Sequence, residues 1–255
     1  MQEDKLNCLV DHLLSERSKS PNLKFPRGSR PSFNLYRSLV NVRPAMAADD
    51  EYLQIEDEYL TKLIAEKGIT DIKDLTPIED GIYLWQGDIT TLKCTAIVNA
   101  ANSAMTGCYQ PCHSCIDNCI HTYAGVRLRY KCDELIRAQG HEEPTGSAKI
   151  TPAYNLPSDY VIHTVGPIVR GFLTDNHRCL LQSCYTSCLD IAVQNGIDSI
   201  AFCCISTGVY GFPQKPAVQI AVDTVREYIK THDIKVVFNV FGNKDLEIYE
   251  DILGR

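Results

Sequence analysis

Three thiols and an imidazole stand within eight residues in Cys108-Tyr109-Gln110-Pro111-Cys112-His113-Ser114-Cys115. That density exceeds what packing an interior requires, and mixed thiolate and imidazole donors favour Zn2+. The segment comes a few residues after Val98-Asn99-Ala100-Ala101-Asn102-Ser103, so soft metal ligands lie beside an asparagine-rich strand end. A metal next to a ligand-binding loop implies chemistry as well as structure.

The rest of the chain bounds what that chemistry serves. At 255 residues it can build one large domain, or one domain with an appendage, around a sizeable core. Apolar residues at 44% and charged residues at 22% describe a globular protein. A net charge of -7 argues against a general nucleic-acid binder and leaves room for a local patch that holds a pyrophosphate. Twelve cysteines are too sparse for a small disulfide scaffold, and Met1-Gln2-Glu3-Asp4-Lys5 does not read as a signal peptide, so a cytoplasmic or other reducing compartment is expected. With no apolar run near the ~18 residues of a membrane span, no membrane partner is expected. Cys184, Cys188, Cys203 and Cys204 sit in apolar contexts and read as small core residues.

Two textures divide the elements that must position the cysteine segment. Over residues 1–78, Leu6, Leu9, Val10, Leu13 and Leu14 mark an amphipathic helix, and Pro21, Pro26, Gly28 and Pro31 interrupt the pattern. A second helix runs through Tyr52, Ile55, Tyr59 and Leu63 and stops at Gly68. This region reads as a small helical appendage, either a stability element or a lid. Over 79–255, predicted strands at 82–85, 96–99, 148–151, 160–164, 199–204 and 235–240 alternate with predicted helices at 116–139, 176–195, 216–230 and 244–253. Such alternation predicts an α/β fold, a largely parallel sheet between two helical layers, with ligands outside the carboxyl ends of the strands.

Three loops fall at such ends: Gly87-Asp88-Ile89-Thr90, residues 99–115, and Ser206-Thr207-Gly208-Val209-Tyr210-Gly211-Phe212-Pro213. In the third, the glycines let backbone amides approach an anion and the two hydroxyls add donors. That composition suits a phosphate, although glycine-rich turns between strand and helix are common.

Gly-Asp-Ile-Thr, then Ile97-Val98-Asn99-Ala100-Ala101-Asn102, then Ile162-His163-Thr164-Val165-Gly166-Pro167, then Ser206 to Pro213 occur in the order found in macrodomains, which residues 81–255 therefore resemble. The resemblance implies a mixed sheet sandwiched by helices with ADP-ribose across the strand ends. Gly-Cys-Tyr-Gln-Pro-Cys-His-Ser-Cys followed by Ile116-Asp117-Asn118 resembles the zinc-containing macrodomain subgroup, as does the helical appendage. It implies Cys108, His113 and Cys115 as ligands of one Zn2+ per chain, with Cys112 at a variable position. Three ligands leave a tetrahedral position open, the pattern of catalytic zinc; a fourth from Cys112, Cys119 or His121 would close it into a structural site. Cys108, Cys112 and Cys115 also match the Cys-x3-Cys-x2-Cys spacing of radical iron–sulfur enzymes, but the interposed histidine and the neighbouring motifs are wrong for that chemistry.

The same resemblance implies roles for the remaining residues, each with a plainer alternative. Asp88, followed by Ile89, would accept a hydrogen bond from the adenine amino group, or merely cap its own turn. Asn99 and Asn102 would meet ribose hydroxyls, or brace the loop. Asp117 would orient or deprotonate the attacking water, or serve as a helix-terminal carboxylate. Ser206, Thr207, Gly208, Val209 and Gly211 would hold the phosphates; Tyr210 and Phe212 would wall the distal ribose, or pack on the sheet. His121 and His163 read as interior or packing histidines. The expected activity is zinc-dependent removal of ADP-ribose from mono-ADP-ribosylated protein at an Asp or Glu ester, the partner being a modified protein such as a lipoyl-carrying one. A non-catalytic ADP-ribose reader and a hydrolase of small ADP-ribose metabolites use the same pocket.

Overall fold

The computed structural model describes residues 2–17 and 32–254. Three helices come first: α1 (Gln2–Arg17), α2 (Phe33–Val42) and α3 (Asp50–Lys67). Strands β1 (Thr70–Asp71), β2 (Ile82–Gln86), β3 (Leu92–Lys93) and β4 (Ala96–Ala101) follow, then α4 (Ile116–Ala124) and α5 (Val126–Gln139). The remainder alternates as β5 (Ala148–Pro152), β6 (Tyr160–Val165), α6 (Asp175–Gln194), β7 (Ser199–Phe202), α7 (Gln214–Ile229), β8 (Lys235–Val240) and α8 (Asn243–Leu253).

Six strands form one sheet in the order β2-β8-β7-β4-β6-β5, parallel throughout except for β5, which runs antiparallel to β6. The β-branched runs Ile97-Val98, Val161-Ile162 and Val236-Val237 place side chains on both faces, and all six are buried. A strand buried on both faces needs a helical layer on each, and this sheet has them. α6 packs on α7 and α7 on α8, while α4 packs on β4 and α5 on β5. This is the expected sandwich with a mixed, mostly parallel sheet. β7 stops at Phe202, two residues short of the sequence reading, and the chain turns there into the third loop.

The long helix expected over 116–139 is two helices. Gly125 breaks it with φ +91, a conformation that L side chains rarely adopt, and a Cβ there would lie 2.5 Å from Glu56 Oε2. The same Glu56 oxygen accepts from the Val126 amide at 2.9 Å, so an α3 carboxylate takes the amide that starts α5. Its other oxygen accepts from the Tyr36 and Tyr52 hydroxyls at 2.6 and 3.0 Å. Burial nonetheless raises the Glu56 carboxyl above the usual range.

α2 is a helix that the sequence reading lacks. Ser32 caps it by accepting from the Leu35 amide at 3.3 Å, and Tyr36, Leu39 and Val40 form its buried face. Pro21, Pro26, Gly28 and Pro31, which obscured its start, lie outside the described residues. α3 ends at Gly68 as expected, with the Gly68 amide bonded to the Ala65 carbonyl. Leu9 and Leu13 of α1, Tyr36 and Leu39 of α2, and Tyr59 and Leu60 of α3 share a hydrophobic cluster apart from the core around the sheet. α2 and α3 both rest on α4, immediately after the cysteine loop. No helix among the described residues is long and apolar enough to cross a membrane.

Candidate active site

β2, β4 and β7 run in the same direction, so the loops that follow them emerge at one edge of the sheet. That edge is where open α/β sheets bind ligands.

In the first loop, Asp88 caps a short turn, its Oδ1 accepting from the Thr90 amide at 3.0 Å and the Thr90 hydroxyl at 2.6 Å. Its Oδ2 pairs with Lys67 at the end of α3. Burial opposes the charge on Asp88, but Lys67 and the Thr90 donors outweigh it and hold the carboxyl below its usual range. Lys67 also lies 4.0 Å from the centre of the Tyr123 ring. No sequence motif pointed to it. Ile89 is buried in the core, so only its backbone belongs to the loop surface.

The second loop gathers the soft donors. Cys108 Sγ, His113 Nδ1 and Cys115 Sγ lie within 4.8 Å of one another, with 3.7 Å between Cys108 Sγ and His113 Nδ1. A tetrahedral ion with bonds of ~2.0–2.3 Å requires its donors to stand roughly 3.5–3.8 Å apart, so the Cys108–His113 pair has that spacing and the trio suits a zinc ion in its chemistry. Burial pushes the Cys115 thiol up to about 12, and the neighbouring Cys108 thiol adds to the shift. A divalent cation reverses that preference, because a coordinating thiol is deprotonated. Cys112 lies outside the trio: its backbone takes φ +53 and its Sγ sits 3.1 Å from the Ser38 hydroxyl on α2.

Behind the loop, α4 starts at Ile116 and its first turn carries Asp117, which is 5% exposed. Burial pushes its carboxyl up to about 6, against the hydrogen bond from Asn99 and the charge of Arg129. Asn99 is fully buried: Nδ2 donates to Asp117 Oδ1 at 2.8 Å and lies 3.1 Å from His163 Nδ1. Of the two roles expected for Asn99, a ribose contact or a brace, the fold shows the brace, since the side chain has no exposure and holds the Asp117 carboxylate. Asn102 is half-buried, its Nδ2 3.0 Å from the Gly107 carbonyl and 3.4 Å from Asp117 Oδ2. Gly107, at φ +83, passes flat over His121; a Cβ there would meet the imidazole at 2.9 Å. His121 Nε2 lies 3.5 Å from Asp117 Oδ1, so the two residues share a helix face as their spacing predicted.

His163 is an interior histidine with both nitrogens partnered. Asn99 Nδ2 can only donate, so His163 Nδ1 accepts and Nε2 carries the proton, which it gives to Thr151 Oγ1 at 3.0 Å. A second soft-donor group, His121 with Cys132 and His163, is buried throughout; Cys132 Sγ lies 3.7 Å from His163 Nε2, and the His121 nitrogens have no hydrogen-bond partner among the described residues. Burial alone pushes His163 down to about 3, so it is neutral in the fold. In the unfolded chain it protonates near ~6.5, so its stabilising contribution is complete above that pH and is lost as pH falls towards about 3. Urea titrations should show wild type losing about 1.4 kcal/mol per pH unit more than His163→Gln between roughly pH 6 and 4. Parallel curves would contradict a neutral buried His163.

The third loop starts in strain. Ser206 holds φ +64, and its buried Oγ has no partner among the described residues. Thr207 gives its hydroxyl to the Cys204 carbonyl at 3.0 Å. The amides of Gly211 and Phe212 close the turn onto the Gly208 and Ser206 carbonyls. Those of Gly208, Val209 and Tyr210 donate to no backbone carbonyl among the described residues. Val209 is 77% exposed. Tyr210 is half-buried, whereas Phe212 packs in the main core. Of the two roles expected for Phe212, a wall for the ribose or packing on the sheet, the fold shows packing, with the side chain 2% exposed in the main core. Cys184, Cys188 and Cys203 are core residues as expected, and Cys204 is half-buried against the Asn239 carbonyl.

The arrangement combines a soft-metal trio, a buried carboxylate and a loop of amides without backbone partners at one sheet edge. Comparison with known proteins gives it a family. Residues 98–221 match the Macro domain model. The chain is 52% identical over 259 residues to a protein-ADP-ribose hydrolase of Treponema medium, covering 99% of each chain. It is 51% identical over 255 residues to a protein-ADP-ribose hydrolase of Staphylococcus aureus strain MRSA252, covering 98% of this chain and 96% of that one. Among solved structures, a Trypanosoma brucei macrodomain in complex with ADP-ribose superposes with TM-score 0.66 at 31% identity, over 86% of this chain and 95% of that one. An Oceanobacillus iheyensis macrodomain with ADP gives TM-score 0.64 at 36% identity, over 71% of this chain and 94% of that one. With the sheet order, the loops and likeness along nearly the whole length in agreement, the chain belongs to the macro domain family.

Proposed function

We propose that this protein is a zinc-dependent hydrolase that removes ADP-ribose from mono-ADP-ribosylated protein, at an Asp or Glu ester. The observation that carries the hydrolase reading is the 52% identity along 99% of both chains to a protein of that activity. The spacing of Cys108, His113 and Cys115 supports zinc as the cofactor, one ion per chain. In this reading residues 79–255 bind and cleave the substrate, and residues 1–78 form an appendage. A lipoyl-carrying protein is one candidate substrate.

Asp88 accepts the adenine amino group once its carboxylate is shared between Lys67, Thr90 and the ligand. The amides of Gly208, Val209 and Tyr210 hold the pyrophosphate, with the Ser206 hydroxyl behind them, and the Tyr210 ring borders the distal ribose. Asn102 has its amide nitrogen committed to Gly107 and Asp117, so its carbonyl oxygen is the atom that takes a ribose hydroxyl. Zinc, when bound by Cys108, His113 and Cys115, supplies Lewis acidity that lowers the pKa of a water towards ~7. Asp117, fixed by Asn99, orients the attacking water and accepts its proton. One water is consumed, and ADP-ribose and a free carboxylate side chain leave. The orientation supplied by the three loops accounts for much of the remaining acceleration.

The test is release of ADP-ribose from an ester-linked ADP-ribosylated protein, with and without a strong zinc chelator. Turnover that the chelator abolishes and added zinc restores is expected. Tight ADP-ribose binding without turnover would replace this reading with that of a reader.

A further inference from the structure

The cysteine loop is tied to the N-terminal helices by contacts that no motif marks. From α2, Arg37 donates through Nη2 to the His113 carbonyl at 2.7 Å and to Asn118 Oδ1 at 2.8 Å. Its Nε lies 3.2 Å from the same Asn118 oxygen. Asn118, fully buried on α4, donates in turn to the Gln110 carbonyl at 2.9 Å and the Cys108 carbonyl at 3.4 Å. Arg37 and Asn118 together thus hold the carbonyls of residues 108, 110 and 113, two of which belong to the soft-donor trio. One turn further along α2, Asn41 Oδ1 accepts from the Cys112 amide at 2.9 Å. The loop is therefore pinned on both sides of Cys112, whose left-handed φ of +53 needs outside support in a residue that has a Cβ.

The physical case starts from entropy. Bringing three donors to one point within eight residues costs the conformational freedom of that segment, and any part of the cost met before the ion arrives appears as affinity. A guanidinium suits the task, because its planar fork serves a carbonyl and an amide oxygen at once. Hydrogen bonds that orient metal-bearing residues are worth about 10–100-fold in metal affinity.

We propose that α2 is a clamp for the metal loop and that Arg37 is its positioning residue. The appendage then sets how long the ion stays, a role distinct from a lid over the substrate. This rests on Cys108, His113 and Cys115 being the ligands.

The experiment follows zinc release from the full chain to a chromogenic chelator, in wild type, Arg37→Ala, Arg37→Lys and Lys5→Ala. Lys5 pairs with Glu58 at 2.7 Å, a contact between α1 and α3 that does not touch the loop. Arg37→Ala should release zinc about 10–100-fold faster. Arg37→Lys should fall between it and wild type, since one ammonium can reach the His113 carbonyl but cannot fork, and Lys5→Ala should match wild type. Hydrogen exchange should quicken over residues 108–118 in Arg37→Ala and stay unchanged over the sheet, and ADP-ribose affinity should be retained. Equal zinc release from wild type and Arg37→Ala would overturn the clamp alone. A wild type that holds no zinc would overturn the ligand reading, and the clamp's metal role with it.

Discussion

Replacing His113 with alanine is expected to slow release of ADP-ribose from an ester-modified protein by about a thousandfold or more, which corresponds to a barrier higher by ~4 kcal/mol. Removing the imidazole leaves Cys108 and Cys115, and two thiols hold a zinc ion far less well than three donors. Folding should be spared, because His113 is only half-buried and the loop keeps its Arg37 and Asn118 contacts through backbone carbonyls. ADP-ribose affinity should remain measurable, since adenine and pyrophosphate are assigned to the loops after β2 and β7. The measurements are metal content, a thermal melt, ADP-ribose calorimetry and single-turnover release on the same preparation. A metal-free, folded His113→Ala protein that turns over at the wild-type rate would reduce the ion to a brace for the loop.

Which parts of this architecture could be read from the sequence follows from the range of the interactions. The strands from Ile82 to Val240 were legible because β-branched runs alternate with helical patterns, and each run reports its own burial locally. α2 was not, because its ten residues follow a proline-rich stretch and its apolar face, Tyr36, Leu39 and Val40, covers only two turns. The break at Gly125 escaped for a related reason. An isolated glycine within a helical pattern often continues the helix, and it takes Glu56, about 70 residues earlier, to satisfy the amide of Val126 and make the break stable.

The site divides in the same way. Cys108, His113 and Cys115 are close in sequence, so their spacing carried the information that the loop brings them together. Asn99 and Phe212 lie in recognisable motifs, but a motif does not say which way a side chain points; both turn inward, Asn99 to Asp117 and Phe212 to the core. Lys67 and Arg37 could not have been found from spacing, since their partners Asp88 and His113 lie 21 and 76 residues away. Asn118 was visible within Ile116-Asp117-Asn118, but its purpose as a bridge to Arg37 was not.

Asp117→Ala should separate water activation from metal binding. Asp117 is not one of the three soft donors, so the variant is expected to keep its zinc, while turnover falls on the order of a hundredfold to ten-thousandfold, the usual worth of a positioned general base. The buried Asn99 amide makes the expectation specific. It fixes Asp117 Oδ1 at 2.8 Å, while Oδ2 faces Asn102 at the looser distance of 3.4 Å, which makes Oδ2 the oxygen that the proposed mechanism uses to take the proton of water. Asp117→Asn keeps the size of the side chain but removes its basicity, so it should be as slow as the alanine variant and still bind ADP-ribose. If Asp117 served only as a helix-terminal carboxylate, the asparagine variant would retain near-wild-type turnover, because asparagine also accepts hydrogen bonds from amides at a helix start. Single-turnover release with metal content measured on both variants decides between these outcomes: a fast asparagine variant that retains its zinc removes Asp117 from the chemistry.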